Sequence, residues 1–216
     1  YFNNFKDRLA NFYWTVVILY KKMSLGVTVN RKKNGALLAY VAKNIPSINL
    51  RKLLKIVYLI DEKFMELRGF PLTWFDYYAW VKGPVAPEVY DIKNGAFSEY
   101  VTCHKNEEGK NIIQSVLSHK YHVLKQMDLY SPFEMGVIDE IMCKYEQCTA
   151  DDLSELTHAE DSLWFQIVKE NQVQFVDGKS NVLIPLQRLN EGDADKEDTY
   201  EEALEYMLFC NNVSTC

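Results

Sequence analysis

NLRKLLKIVYLIDEKFMELRG, residues 49–69, places Leu50, Leu53, Leu54, Val57, Ile60, Phe64 and Leu67 at the i, i+3, i+4, i+7 spacing of a helical face. Asn49 supplies an N-cap, and Gly69 supplies the left-handed residue that ends a helix. The stretch therefore reads as one long core helix, and the rest of the chain must cover it. Arg51 and Lys52 fall in its first turn, where the helix dipole disfavours cations by roughly 0.3 to 1 kcal/mol each. Such charges are expected either on a solvated face or held for a partner.

Upstream, Arg31 to Ile45 carries a shorter helical pattern with Leu37, Leu38 and Val41 inward, closed by Pro46. Downstream lies WFDYYAWVKGPV, residues 74–85. As a strand, Trp74 to Val81 is apolar on both faces, so it reads as a buried segment, with one face as the alternative protein contact. A base-stacking platform would interleave such rings with cations, and only Lys82 is near. Gly83-Pro84 is expected to end the strand in a tight corner, with Pro87 opening a short helix that Gly95 stops.

SEYVTC (98–103) and KNIIQSVLS (110–118) pair as strands around the NEEG turn. Two capping boxes, Ser131 with Glu134 and Thr149 with Asp152, open two tandem helices, the second running on through SELTHAEDSLWFQIVKEN. Residues 172–190 read as loop, followed by an acidic and then amphipathic helix with Ala203, Leu204, Met207 and Leu208 as its stripe.

The chain has 216 residues, 48% hydrophobic, with formal charge −6. That length suits one domain with appendages, and the acidic balance works against a nucleic-acid partner. Five cysteines, Cys103, Cys143, Cys148, Cys210 and Cys216, make no paired Cys-x-x-Cys set and read as reduced thiols of a cytoplasmic protein. Cys103 and His104, adjacent on a strand, point to opposite faces. FYWTVVILYKK near the N-terminus is too short an apolar run to span a bilayer and is a poor signal peptide. Residues 1–22 are expected to be upstream or appended sequence, with the working protein starting near Met23; an amphipathic helix packed on the domain is the alternative.

No glycine pattern matches a phosphate-cradling loop, and no nucleophile sits beside a base at a diagnostic spacing. His119 and His122 share a helical face without a third ligand, so they read as a surface pair. The expectation is no catalytic residue, no metal and no cofactor.

Three stretches, in order, resemble the Panacea domain of SocA-like antitoxins, a family of bacterial toxin–antitoxin and phage-linked operons. KIVYLID is similar to its first motif through Lys55, Tyr58 and Asp61; KGPVAPEVY to its second through Gly83, Pro84, Val85 and Tyr90; LSELTHAEDSLW to its third through Thr157, His158 and Trp164. Leu163 stands where the family pattern has proline. The resemblance spans roughly residues 35–170. It implies a compact, predominantly α-helical α+β domain with a small antiparallel β element, over 31–171. Residues 1–30 form an extension, and 172–216 a loop and C-terminal helix packed on the same domain.

The resemblance also implies function by binding: neutralising a protein toxin encoded nearby, by direct contact or by delivery to a housekeeping protease, with no membrane role. The residues expected at the toxin are Trp74, Tyr78, Lys82, Gly83, Pro84, Val85, Tyr90, His158 and Trp164. Two other classes compete. A DNA-binding regulator of its own operon would use Arg31, Lys32, Lys33, Arg51, Lys52 and Lys55 as a basic edge. A hydrolase or nuclease would use His158 with Asp151 or Asp152.

Overall fold

The computed structural model describes residues 29–116 and 129–213. The N-terminal segment 1–28, the His119/His122 pair, the end of the 110–118 stretch, the Cys210 side chain and Cys216 lie outside the described residues. In chain order the elements are α1 (Arg31–Asn44), α2 (Leu50–Arg68), β1 (Tyr77–Trp80), β2 (Gly83–Val85), α3 (Pro87–Tyr90), a 3₁₀ turn (Asp91–Asn94), β3 (Val101–Lys105) and β4 (Asn111–Ser115). They continue with α4 (Pro132–Tyr145), α5 (Ala150–Thr157), α6 (Leu163–Glu170), β5 (Leu183–Ile184), a 3₁₀ turn (Leu186–Asn190) and α7 (Ala194–Val213). This is the predominantly helical α+β class.

The long helix forms as its caps dictate. Asn49 accepts a hydrogen bond from the Lys52 backbone N–H, and Gly69 adopts φ 75° at the C-terminus. Its burial goes further than a one-sided stripe. Every residue from Lys52 to Asp61 is buried, because α1, α4, α5, β2, β4 and the second 3₁₀ turn pack around α2 on several sides. Leu67 is 42% exposed, outside the core, whereas Met65 is fully buried.

β1 is the middle strand of an antiparallel sheet ordered β2-β1-β5, with Tyr78 opposite Val85 and Tyr77 opposite Ile184. Gly83-Pro84 is therefore not a corner that ends the sheet. The chain reverses at Val81-Lys82, and Pro84 lies opposite Ala79 on edge strand β2, where its missing N–H costs no ladder bond. β3 and β4 form the separate two-stranded ribbon expected, with Cys103 opposite Ile113. Both capping boxes are present. The second helix is broken in two: α5 stops at Thr157 and α6 starts at Leu163, because Ser162 donates its hydroxyl to the Thr157 carbonyl (2.9 Å) and caps the Phe165 N–H. The region 172–190, expected as plain loop, contributes β5 and the second 3₁₀ turn. From α7, Tyr200 and Leu204 join the main core.

Asp61, fully buried in α2, fixes the approach to β1. Its carboxylate accepts hydrogen bonds from the Thr73 backbone N–H (2.8 Å), the Thr73 hydroxyl and the Tyr77 hydroxyl (2.7 Å). The Thr73 carbonyl in turn accepts from the buried Asn34 amide of α1 (2.9 Å). Between these fixed points Trp74 takes φ 59°, a left-handed angle that costs a non-glycine residue of order 1 kcal/mol or more and persists only when its neighbours hold it.

Burial raises the Asp61 carboxyl to about 6, against the opposing pull of its donors. Asp61→Ala leaves those donors without their acceptor and is expected to lower unfolding free energy by about 3 kcal/mol or more in urea denaturation. The folded carboxyl holds its proton to a higher pH than the unfolded one, so its contribution is full below the unfolded value of 3.8 and lost as pH rises through about 6. Wild type should accordingly lose stability relative to Asp61→Asn between about pH 4 and pH 6, by up to ~1.4 kcal/mol per unit.

Candidate functional site

The three motif stretches meet where α2, β2 and the α5–α6 corner touch. Lys55 is 1% exposed and has no carboxylate partner among the described residues; its ammonium donates to the Pro84 carbonyl at 3.1 Å. Burial and the nearby Arg51 charge lower its pKa to about 7. Lys55 thus lies inside the protein and on no basic edge. Gly83, at φ 100°, passes directly over it: a Cβ there would fall on Lys55 Nζ and 2.7 Å from Thr157 Oγ1. Glycine is required twice, for its backbone angle and for the close approach. Thr157 turns its hydroxyl to the Ser154 carbonyl (3.1 Å).

His158 is the C-cap of α5. Its ring lies 4.0 Å from that of Trp164, centroid to centroid, and its Nε2 is buried without a hydrogen-bond partner among the described residues. Burial first, then the charges of Lys55 and Lys82, lowers its pKa, which favours the neutral ring. Trp164 is itself anchored, donating from Nε1 to the Trp80 carbonyl at 3.0 Å and stacking on Phe175 at 6.4 Å. Through that bond the third motif grips the end of β1. Leu163 is the first residue of α6, the helical position that tolerates proline best, so the departure from the family pattern leaves the corner intact.

Tyr58 packs edge-on against Tyr77 at 5.2 Å and donates to Glu62 at 3.2 Å. Gly83, Pro84 and Val85 are buried; Trp74 is 7% and Trp164 8% exposed, so these shape the region and present little area. Trp74 lies against Tyr200 of α7, centroids 5.6 Å apart, instead of turning an edge outward. Tyr78, Tyr90 and His158 are half-buried, and Lys82 is exposed.

Of the residues of the two competing classes, Arg31, Lys33, Arg51, Lys52, Asp151 and Asp152 are engaged elsewhere, whereas Lys32 is exposed. Arg31 pairs with Glu99 in two hydrogen bonds, Lys33 with Glu134 at 2.7 Å and Arg51 with Asp151 at 2.8 Å. Lys52, expected on a solvated face or kept for a partner, is 8% exposed and donates to the Glu146 carbonyl at 2.5 Å. These contacts disperse the basic edge that a DNA reading needs. Asp151 is held by Arg51, and Asp152 caps α5 through Thr149 (2.7 Å). Among the described residues no group of three or more His, Cys, Asp or Glu side chains could hold a metal ion, and no helix is long and apolar enough to cross a membrane.

Sequence reasoning singled out Lys55, Asp61, Gly83, Thr157, His158 and Trp164, and these converge around the helix and hairpin. It missed Asn34 and Thr73, whose only signal is that a buried carboxylate on α2 requires donors from somewhere.

The family described as antitoxin SocA-like, Panacea domain, matches residues 53–165, which contain all three motifs. No curated protein matches the chain, and no solved structure does.

Lys55 releases its proton near pH 7 when folded and near 10.5 when unfolded, so the unfolded chain binds more protons between those values. Stability should rise with pH across that window by up to ~1.4 kcal/mol per unit, and Lys55→Met should flatten the rise in denaturant midpoints measured from pH 7 to 10. Gly83→Ala should destabilise by roughly 2 kcal/mol or more in the same assay, from backbone strain plus displacement of Lys55.

Proposed function

Because the chain belongs to the SocA-like antitoxin family by its Panacea domain, we propose that it neutralises a protein toxin encoded nearby through direct contact with its folded surface. The observation that carries this reading is the family match over residues 53–165, joined to a site in which Lys55 and Asp61 are buried. Lys55 and Asp61 hold the hairpin to the core helix, which is a scaffold's use of charge. A surface that binds rigidly needs such support, since a preorganised element loses less entropy on docking.

We assign the binding domain to residues 31–171, with Tyr200 and Leu204 of α7 joining its core. Contact falls to the accessible parts of Tyr78, Lys82, Tyr90 and His158, while Trp74, Gly83, Pro84, Val85 and Trp164 set their positions. Delivery of the bound toxin to a protease is a compatible second step. The internal pairing of Arg31, Lys33 and Arg51 favours this reading over operator binding. The engagement of Asp151 and Asp152 favours it over hydrolysis.

Co-expression with the protein of the neighbouring reading frame tests the proposal. Relief of growth arrest together with a co-purifying complex is expected. A neighbour that arrests growth equally with and without this chain contradicts it.

A further inference from the structure

Two cations that lie outside the ion pairs of this acidic chain meet on one face. Arg31, Lys33, Arg51, Lys63, Lys110, Arg188 and Lys196 each lie against a carboxylate of the chain itself. Lys93 and Lys179, both exposed, have no such partner among the described residues and share an aromatic pair instead. The Trp80 and Tyr90 rings meet edge-on, 4.8 Å between centroids at 78°. Lys93 Nζ stands 3.8 Å from the Tyr90 centroid, and Lys179 Nζ stands 5.3 Å from that centroid and 4.8 Å from that of Trp80.

Two ammonium groups gathered at the same rings repel each other, and exposed ring faces offset that only weakly. Asp91 and Asp177 stand in the same two turns without forming an ion pair to either ammonium, so both lysines are open to negative charge from a partner. The mounts are firm: Lys179 closes a tight turn in which its N–H and C=O both bond to Val176, and Gly178 accepts from the Val81 N–H at 3.0 Å. Lys93 sits in the 3₁₀ turn stopped by Gly95. Beside Lys179, Val176 is 74% exposed, so an apolar contact adjoins the cations.

Resting on the partner-binding reading above, we propose that Trp80, Tyr90, Lys93, Lys179 and Val176 form the docking surface for an acidic segment of the partner protein, its carboxylates between the two lysines and an apolar side chain on Val176. Charge complementarity selects the occupant. A nucleic acid fits less well, since a backbone track needs a run of cations and the chain carries a formal charge of −6.

The test titrates the full chain with a fluorescein-labelled Glu-Glu-Leu-Glu-Glu peptide, its lysine counterpart and a single-stranded oligonucleotide, read by anisotropy. The acidic peptide should bind in preference to both others, and Lys93→Glu with Lys179→Glu should weaken it about tenfold or more. Lys93→Gln with Lys179→Gln, which keeps the side-chain stems, should weaken it less while leaving the melting temperature unchanged. Equal binding by wild type and the glutamate variant overturns the inference, as does a preference for the oligonucleotide that the same variant abolishes.

A parallel co-expression with the neighbouring toxin separates the two claims. Protection by wild type but not by the glutamate variant, restored by toxin mutations of Asp or Glu to Lys, supports both. Protection by both chains overturns the surface and keeps the toxin reading. No protection by either, with peptide discrimination intact, keeps the surface and removes the toxin reading.

Discussion

Two charges buried on one helix organise the central part of this protein. Lys55 and Asp61 lie on α2, each almost wholly out of water, and neither is in an ion pair among the described residues. A bare ion there would be prohibitive, so each must be met by hydrogen-bonding groups from the chain that follows. Asp61 draws in Thr73 ahead of β1 and Tyr77 at its first residue, and Lys55 draws in the Pro84 carbonyl on β2. The hairpin is therefore held at both ends from the same helix, and its geometry follows from the need to satisfy those two groups. The left-handed Trp74 and the bare Gly83 are the local costs of that arrangement.

The three motif stretches, far apart in sequence, belong to a single mechanical unit. The helix carries the charges, the hairpin supplies the donors and the acceptor, and the α5–α6 corner closes over the junction by the bond from Trp164 to the Trp80 carbonyl. The unit presents a strand-and-turn face on which Tyr78 and Tyr90 are half-buried and Lys82 is exposed, above the buried Gly83, Pro84 and Val85.

What could be read in advance follows the range of the forces involved. Local signals worked: Asn49 and Gly69 bound α2 as their chemistry requires, and the capping boxes at Ser131 and Thr149 start helices where expected. The hairpin was misread because Gly-Pro is a local stop signal, while the edge position that excuses Pro84 is a property of the whole sheet. The break between α5 and α6 was missed for a similar reason: Ser162 offers a cap in sequence, but only its bond to the Thr157 carbonyl makes a corner. Arg31, Lys33, Arg51 and Lys52 looked like an edge because their partners, Glu99, Glu134, Asp151 and the Glu146 carbonyl, lie far along the chain. Lys55 was legible as a motif residue but not as a buried amine.

Amide hydrogen exchange of residues 70–90 in the Asp61→Ala protein tests most directly whether the buried charges hold the hairpin. If they do, protection should fall across Thr73 to Val85 while the interior of α2 keeps its slow exchange. Unchanged protection in the hairpin, or a loss spread evenly over the whole chain, would contradict the account.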